Sequence, residues 1–559
     1  MSEAPVDRLA PGGHFSRKSV APGAAPPTAA VPAAGAAPAA GAATAHRAPP
    51  PRRFDPLSYL EHHAVRGPNA PAIWEEGAEL SFAALCDRVH ALMARLDRHG
   101  VTPGEVVAVA LPNVALYVAL EIAVPSTGAV LFPLPLGIGR RELAAMLERS
   151  GARLLVTDDS EAGREIADTA AALPGEPPAL LQAADLAAGS ATDTTAPARV
   201  PVDPDRIVQI ALTSGTTGLP KLASLSARLK QLTFEGFTGR LRIEAGDRMF
   251  PMSPITQGAG EMCLYALRRG ATLVMLGPRR FDAETALRIA AESEATILGG
   301  VPTMIGRLLH SPAFDPESLP RLRLTVSAGA PLPPAVARDW ETRTGAPIGS
   351  FYGAMDIGQL AVPDPEDPAE KRHTTVGRPH DAAELRIVDA DGTPVPPGET
   401  GEICMRGPLV QERYWGEAAG PHGPDGWAHF GDLGFLDADG YLHVTGRIKD
   451  TIIRGGNNIN PLEVEALLRE HPAIGDACVV GCPDPDLGER AVAFLVPADG
   501  HGPVALPELT AFLRERGLTR HKWPERIERV QALPLGPTGK VDRAALRRSL
   551  ETRDPEERA

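Results

Sequence analysis

The feature that most constrains this chain is a loop rich in hydroxyl groups and glycine that directly follows an apolar run. The run IVQIALT begins at Ile207, and the loop reads LTSGTTGLPK over residues 212–221. Glycine lets the backbone approach a ligand closely, and successive backbone N–H groups can form an anion-binding concavity. Lys221 adds a positive charge for phosphate. The spacing is not that of a Walker A loop, and a surface turn is the alternative for such a loop in isolation.

Apolar strands and amphipathic helices alternate along the chain around this loop. VVAVALPN (106–113) has the pattern of a buried strand, and LYVALEIAVPSTGA, which follows it, that of a helix. Such alternation predicts an α/β fold with parallel-rich sheets built from βαβ units. Ligands of open α/β sheets bind beyond the carboxyl ends of strands. Three loops at predicted strand ends can therefore face one pocket, namely 213–221, 328–331 and 352–356.

The pattern changes in the last third of the chain and at the N-terminus. After Thr375, short strands divided by Asp-Gly and Gly turns predict an antiparallel section. Residues 450–559 predict a small α+β domain, so we expect the large N-terminal domain to cover 53–449. Residues 1–52 are mostly Ala, Pro and Gly and predict a disordered tail, because they offer little apolar surface to bury.

Composition excludes several classes of function. The net charge is −14 without a long basic run, which argues against nucleic acid as the main partner. The sequence has neither an apolar run long enough to span a bilayer nor a signal-peptide pattern at its start. The 5 cysteines are scattered along the chain. We therefore expect buried thiols, a cytoplasmic location and no membrane span.

Further motifs follow the loop in a fixed order. They are SAGAPLP (327–333), YGAMD (352–356), FGDLG (430–434), GRIKD (446–450), RGGNNINPLEVE and PLGPTGKV (534–541). With LTSGTTGLPK, this series resembles the adenylate-forming superfamily of acyl-CoA synthetases, peptide-synthetase adenylation domains and luciferases. The resemblance covers about residues 54–550. The C-terminal part is similar to aryl-acid activating enzymes such as 2,3-dihydroxybenzoate–AMP ligases.

The resemblance implies a fold, a reaction and its cofactors. The expected fold is a large domain of parallel-rich sheets with a small antiparallel section, followed by a small mobile α+β domain. The expected enzyme uses ATP and Mg²⁺ to join a carboxylate to the α-phosphate, releases pyrophosphate, and transfers the acyl group to a thiol. The acid is expected to be aromatic or a medium-sized organic acid. The acceptor is CoA or the phosphopantetheine of a carrier protein acting in trans.

The resemblance also assigns roles to individual residues. Lys540 is expected to contact the carboxylate and the α-phosphate, Asp432 the ribose hydroxyls, and Asp356 the Mg²⁺ ion. Arg447 would support the ribose and the hinge, whose pivot is expected at Asp450. The remaining expected ATP-binding residues are Thr213, Ser214, Gly215, Thr216, Thr217, Lys221, Gly329, Ala330, Pro331, Tyr352 and Gly353. Of these, Thr213 is also expected to be catalytic.

Several residues depart from the family's usual motifs. Asp356 stands where a glutamate is usual, Met355 where a threonine is usual, and Phe430 replaces the threonine before Gly-Asp. The segment PMSPITQGAG (251–260) has Pro254 where a histidine or aromatic gate is common. We therefore expect a modified acyl pocket lined by Pro254, Thr256, Gln257, Gly300, Val301, Ser327 and Met355.

Two other functions are compatible with these departures. The superfamily resembles certain diazotases, which activate nitrite in place of a carboxylate, and the altered YGAMD and PMSPITQ segments leave room for that reaction. The chain could also be a non-catalytic relative that binds a nucleotide or an acyl group. Joint retention of four residues argues against the non-catalytic alternative, namely Lys221, Asp432, Arg447 and Lys540.

Overall fold

The computed structural model describes residues 54–187, 199–213, 220–256, 258–355, 358–455, 457–498, 500–536 and 540–551. All of them belong to one compact unit, Ala48–Ala559. The predicted disordered tail, the phosphate-loop residues 214–219, Gln257 and Asp356 lie outside the described residues.

The strands follow in chain order. The first group is β1 Pro71–Glu75, β2 Ala78–Ser81, β3 Val106–Ala110, β4 Val130–Pro133, β5 Ala152–Thr157, β6 Ala179–Gln182, β7 Ile207–Thr213, β8 Lys221–Ser226, β9 Arg248–Pro251, β10 Thr272–Met275, β11 Ile297–Gly300, β12 Leu324–Ser327 and β13 Ile348–Ser350. The second group is β14 Tyr352–Ala354, β15 Gly358–Val362, β16 Arg378–Pro379, β17 Glu384–Val388, β18 Gly401–Arg406, β19 Ala428–Leu436, β20 Leu442–Arg447, β21 Ile452–Arg454, β22 Asn457–Ile459, β23 Ile474–Asp484, β24 Gly488–Pro497 and β25 Arg526–Arg529.

The α-helices lie between these strands and cover the sheets. They are α1 Pro56–Arg66, α2 Phe82–Arg98, α3 Ala115–Ser126, α4 Arg140–Ser150, α5 Glu161–Ala171, α6 Ala183–Ala187, α7 Ala227–Arg240, α8 Gly258–Cys263, α9 Ala283–Glu292, α10 Pro302–His310, α11 Pro334–Thr344, α12 Ala369–Thr374, α13 Pro461–Leu468, α14 Leu506–Glu515 and α15 Arg543–Glu551.

Two large sheets form the N-terminal part. One has the order β13-β12-β11-β9-β10-β1-β2 and is parallel except for the β1–β2 pair. The other has the order β6-β5-β3-β4-β7-β8 and is parallel except for the β7–β8 pair. Their strands are almost continuously apolar because helices cover both faces of such sheets. The prediction of an α/β fold with parallel-rich sheets is confirmed.

The later strands form smaller sheets. β14–β15–β16 and β17–β18–β19–β20 are antiparallel, as the Asp-Gly and Gly turns predict. In the C-terminal part, β23 and β24 form a long antiparallel pair, and β25 joins β24 in parallel. This sheet packs with α13 and α14 around a separate core that includes Ile452, Val464 and Leu509. A large N-terminal domain and a small α+β C-terminal domain result, whereas their exact boundaries stay a prediction.

Helix α2 illustrates how local sequence sets the elements. The Ser81 hydroxyl accepts a hydrogen bond from the backbone N–H of Ala84, which caps the helix and typically contributes about 1 kcal/mol. Apolar residues recur at helical spacing and are buried. The helix ends at Arg98, and Gly100 follows with φ +72°. Glycine is common just after a helix because it adopts this left-handed conformation without a steric penalty.

Two features of the fold go beyond the sequence-based expectations. Helices α5 and α6 and strand β6 lie within residues 159–187. The hydroxyl loop connects two antiparallel strands, β7 and β8, with Thr213 paired to Lys221.

Of the cysteines, Cys86, Cys263, Cys404 and Cys478 are buried, Cys482 is partly buried, and all are free thiols. Among the described residues, no helix combines the length and apolar character needed to cross a membrane.

Candidate active site

The hydroxyl loop is held by the two strands that flank it. Thr213 and Lys221 are cross-strand partners at the ends of β7 and β8. The Lys221 ammonium lies 4.4 Å from the centre of the Tyr414 ring, a cation–π distance. The backbone N–H of Trp415 donates to the carbonyl of Leu222 at 2.8 Å, which ties the segment after Tyr414 to β8. Lys221 is therefore fixed at the mouth of the loop, where a phosphate-binding charge is expected.

The predicted adenine-binding turn lies at the carboxyl end of β12. Gly329, Ala330 and Pro331 are exposed, and Gly329 has φ +87°, a conformation that glycine adopts without a steric penalty. The backbone N–H of Phe351 donates to the carbonyl of Ser327 at 2.9 Å. The turn therefore lies beside the start of β14, which carries Tyr352 and Gly353.

Asp432 is the centre of a hydrogen-bonded group formed by three separate motifs. The Tyr352 hydroxyl donates to Asp432 Oδ2 at 2.5 Å, and Arg447 Nε lies 2.6 Å from Asp432 Oδ1. Asp432 is only 2% exposed, so Arg447 balances a carboxylate that is almost fully removed from water. Each carboxylate oxygen has more than one acceptor direction, so the carboxylate can also accept bonds from a ribose.

A bulge in β19 lies next to Asp432, whose cross-strand partner on β20 is Arg447. The β18–β19 register shifts between Glu402 and Cys404, and Gly431 has φ +70° at this point. Glu402 Oε1 accepts the backbone N–H of Gly431 at 3.2 Å. Bulges commonly re-aim a side chain next to an active site. Sequence reasoning did not identify Glu402, and the available signal was its place in the alternating strand TGEICMRG.

Lys540 reaches the predicted adenine-binding turn from the C-terminal domain. A Cβ built on Gly329 would lie 3.1 Å from Lys540 Cε and 3.9 Å from Lys540 Nζ. Partial burial lowers the pKa of the Lys540 amine, and the nearby charge of Arg447 lowers it further, while Asp432 acts in the opposite direction. Lys540 as a whole residue is exposed.

The predicted hinge lies on a short turn between the domains. Asp450 ends the 3-10 helix Ile448–Asp450 and is half-buried. The backbone N–H of Thr451 donates to the carbonyls of Arg447 and Ile448, both at 3.2 Å. Local hydrogen bonds of this kind can exchange without unfolding either domain. The hinge role of Asp450 stays a prediction.

The predicted acyl-pocket residues occupy two groups of elements. Met355 packs against the cluster of Ala211, Ala223, Leu225 and Leu229, and its Sδ lies 3.4 Å from the backbone N of Gly258 at the start of α8. Gly300, Val301 and Ser327 are buried at the ends of β11 and β12. Helix α8 connects these groups, because Cys263 Sγ occupies the space that a Cβ on Gly299 would need.

The remaining predicted pocket residues differ in their exposure. Thr256 is buried and Pro254 is exposed, while Gln257 lies outside the described residues. Val301 connects the pocket with the adenine turn, since its Cγ1 would lie 3.6 Å from a Cβ on Gly329. Ser327 Oγ is buried without a hydrogen-bond partner among the described residues. The predicted pocket residues are therefore mainly apolar, and Ser327 adds a buried hydroxyl.

The fold and this arrangement define an enzyme that forms an acyl adenylate. The AMP-binding enzyme model matches residues 60–415, and the model of the AMP-binding enzyme C-terminal domain matches residues 463–540. The chain therefore belongs to the AMP-binding enzyme family of adenylate-forming acid–thiol ligases, which confirms the family predicted from its motifs.

Individual relatives cover almost the whole chain. The chain is 34% identical over 496 residues to a feruloyl-CoA synthase from an Amycolatopsis species, and the match covers 88% of this chain and 98% of the relative. It is 33% identical over 510 residues to a sulfoacetate–CoA ligase from Cupriavidus necator, covering 89% and 98%. The ATP-bound structure of MatB from Rhodopseudomonas palustris superimposes with a TM-score of 0.80 at 26% identity, covering 90% of this chain and 99% of MatB.

Proposed function

We propose that this protein adenylates an aromatic carboxylic acid with ATP and then transfers the acyl group to the thiol of CoA or of a carrier protein. The observation that carries the proposal is that Lys540 lies beside Gly329. Lys540 is also close enough to Asp432 and Arg447 for their charges to change its pKa. This position brings a cation from the C-terminal domain to the turn expected to bind adenine.

The first half-reaction joins two anions, so its transition state needs fixed positive charge. Lys540 would contact the carboxylate and α-phosphate oxygens, and Lys221 would contact the outer phosphates. Charge placed in advance where negative charge develops lowers the barrier most effectively. Mg²⁺ would supply further charge at the phosphates, with Asp356 as its proposed ligand.

The ribose and the adenine base would be held by residues of the SAGAPLP, YGAMD, FGDLG and GRIKD motifs. Asp432 would accept hydrogen bonds from the ribose hydroxyls while its contact with Arg447 keeps the carboxylate oriented. Tyr352 would lie against adenine with its hydroxyl still bonded to Asp432, which is compatible with the 2.5 Å contact between them. Gly329, Ala330 and Pro331 would line the base edge.

An aromatic acid is favoured by the pocket's lining. Met355 and Val301 offer apolar contacts to a ring, and methionine adapts to aromatic partners. The feruloyl-CoA synthase acts on an aromatic acyl group, whereas the sulfoacetate–CoA ligase, at similar identity, does not. Both relatives are named for CoA products, which supports CoA as the acceptor; a carrier thiol would react through the same acyl adenylate.

An acid-dependent ATP–pyrophosphate exchange assay tests the proposal. The panel should contain benzoates and cinnamates, alkanoates, sulfonated acids and nitrite, with the Lys540→Ala variant as a matched control. We expect exchange with at least one aromatic acid and a loss of several orders of magnitude in the variant. Exchange supported only by nitrite would favour the diazotase alternative, and no exchange with any substrate would overturn the proposal.

A further inference from the structure

A glutamate, a cysteine and a histidine come together on the small antiparallel sheet, next to the strand that carries Asp432. Glu402 and Cys404 lie two residues apart on β18, and His429 is the cross-strand partner of Cys404 on β19. The distance is 2.9 Å from His429 Nδ1 to Glu402 Oε2 and 3.3 Å from His429 Nδ1 to Cys404 Sγ. One donor atom from each residue lies within 4.8 Å of both others.

We propose that Glu402, Cys404 and His429 form a zinc-binding site with one open position for water. Thiolate, imidazole and carboxylate are all zinc ligands, at about 2.0–2.3 Å from the ion. In a tetrahedral site with such bonds, neighbouring ligand atoms are separated by roughly 3.2–3.8 Å. Of the observed separations, 3.3 Å lies within this range and 2.9 Å lies a few tenths of an ångström below it. Small side-chain movements would therefore admit the ion.

The groups behind these ligands already have the arrangement expected of a metal site. His429 Nε2, the second ring nitrogen, lies 3.4 Å from Asp425 Oδ2 and 4.0 Å from Cys404 Sγ, and Arg386 pairs with Asp425. Glu402 Oε1 accepts the backbone N–H of Gly431 at 3.2 Å, leaving Oε2 for the ion. Outer hydrogen bonds to a carboxylate or the backbone orient metal ligands and strengthen their binding.

The mixture of ligands selects the type of metal. A thiolate disfavours Mg²⁺ and Ca²⁺, which prefer oxygen, and a combined sulfur, nitrogen and oxygen set favours Zn²⁺. Cys404 is buried, whereas His429 is exposed and Glu402 half-buried, so an ion can enter from the His429 side. Binding requires the thiolate form and therefore releases the Cys404 proton.

A structural ion pair between His429 and Glu402 is the competing explanation, and the thiol distinguishes the two. An ion pair does not use Cys404, whereas a zinc site does. Co²⁺ is a spectroscopic substitute for Zn²⁺ and gives an intense charge-transfer band only when a thiolate binds it. Titration of the untagged, reduced full-length chain under anaerobic conditions should give this band at one equivalent. Added Zn²⁺ should abolish the band by displacement.

Variants separate this site from other thiols and histidines. Cys404→Ala should abolish the band, while Cys482→Ala, which removes a different partly buried thiol, should leave it unchanged. Asp425→Asn should weaken Zn²⁺ binding by about 10–100-fold, measured by competition with a chromogenic chelator. Asp425 is exposed, so this variant tests the site even if Cys404→Ala does not fold. Absence of the band in the unmodified chain, or its persistence in Cys404→Ala, would overturn the proposal.

Discussion

Replacing Gly329 with alanine should slow adenylation by displacing Lys540. Gly329 has φ +87°, and a Cβ there would lie 3.1 Å from Lys540 Cε and 3.6 Å from Val301 Cγ1. A left-handed conformation costs a non-glycine residue about 1–2 kcal/mol. The contact with Lys540 adds little to this cost, because the end of a lysine side chain can move away. The displaced group is, however, the proposed catalytic cation.

The expected loss follows from the size of that displacement. Carbon atoms prefer a separation of about 3.5–4.0 Å, so Lys540 Cε must move by several tenths of an ångström. A misplacement of about 1 Å can cost 10²-fold in rate. We therefore expect roughly a tenfold decrease in kcat for pyrophosphate exchange, equivalent to about 1.4 kcal/mol. Thioester formation from a pre-made acyl adenylate should be nearly unchanged.

Gly345→Ala is the matched control. Gly345 follows α11 with φ +70°, but a Cβ there would meet nothing within 4 Å. Thermal unfolding should show similar destabilisation of both variants, and only Gly329→Ala should lose adenylation rate. In a Lys540→Ala background, Gly329→Ala should cause no further loss of kcat. Equal rates in the two glycine variants, or additive losses in the double variant, would refute the displacement of Lys540 as the cause.

Three further predictions concern the same site. The free enzyme's kcat/KM for adenylation should fall at high pH at a lower pKa than that of a free lysine, because burial and Arg447 lower the pKa of Lys540 and only its charged form acts. Arg447→Met should shift this alkaline decrease of kcat/KM to higher pH. An unchanged pH–rate profile would contradict the assignment of the decrease to Lys540. Lys540→Ala should reduce pyrophosphate exchange by several orders of magnitude and leave single-turnover thioester formation nearly unchanged. Asp450→Pro should impair thioester formation and spare pyrophosphate exchange. Equal loss of both steps in both variants argues against a hinge with two orientations. Met355→Ala should favour bulkier acids in the exchange panel by about 1–3 kcal/mol, and an unchanged acid profile would place Met355 outside the acyl pocket.

Local sequence predicted the elements of the site better than the contacts between them. The strand β7 and the loop after it are recognisable because an apolar run and a glycine- and hydroxyl-rich run are both local patterns. The antiparallel return through β8 was not predicted, since the pairing of Thr213 with Lys221 depends on sheet assembly. The bulge at Gly431 and its bond to Glu402 likewise require two strands to pair before either residue has a role.

The relation between the domains depends still more on tertiary structure. Motif order alone placed Lys540 on a late loop and Gly329 on a turn after a buried strand, but no periodicity in the sequence specifies that they meet. Their contact exists because the C-terminal domain packs over the carboxyl end of β12, and it brings a cation next to the pair of Asp432 and Arg447. Arg447 lowers the pKa of Lys540 while holding Asp432, so one residue couples the proposed ribose contact to the proposed catalytic charge. Arg447→Met should consequently change both the KM for ATP and the alkaline limb of adenylation, whereas a residue that only supports the ribose would change the KM alone.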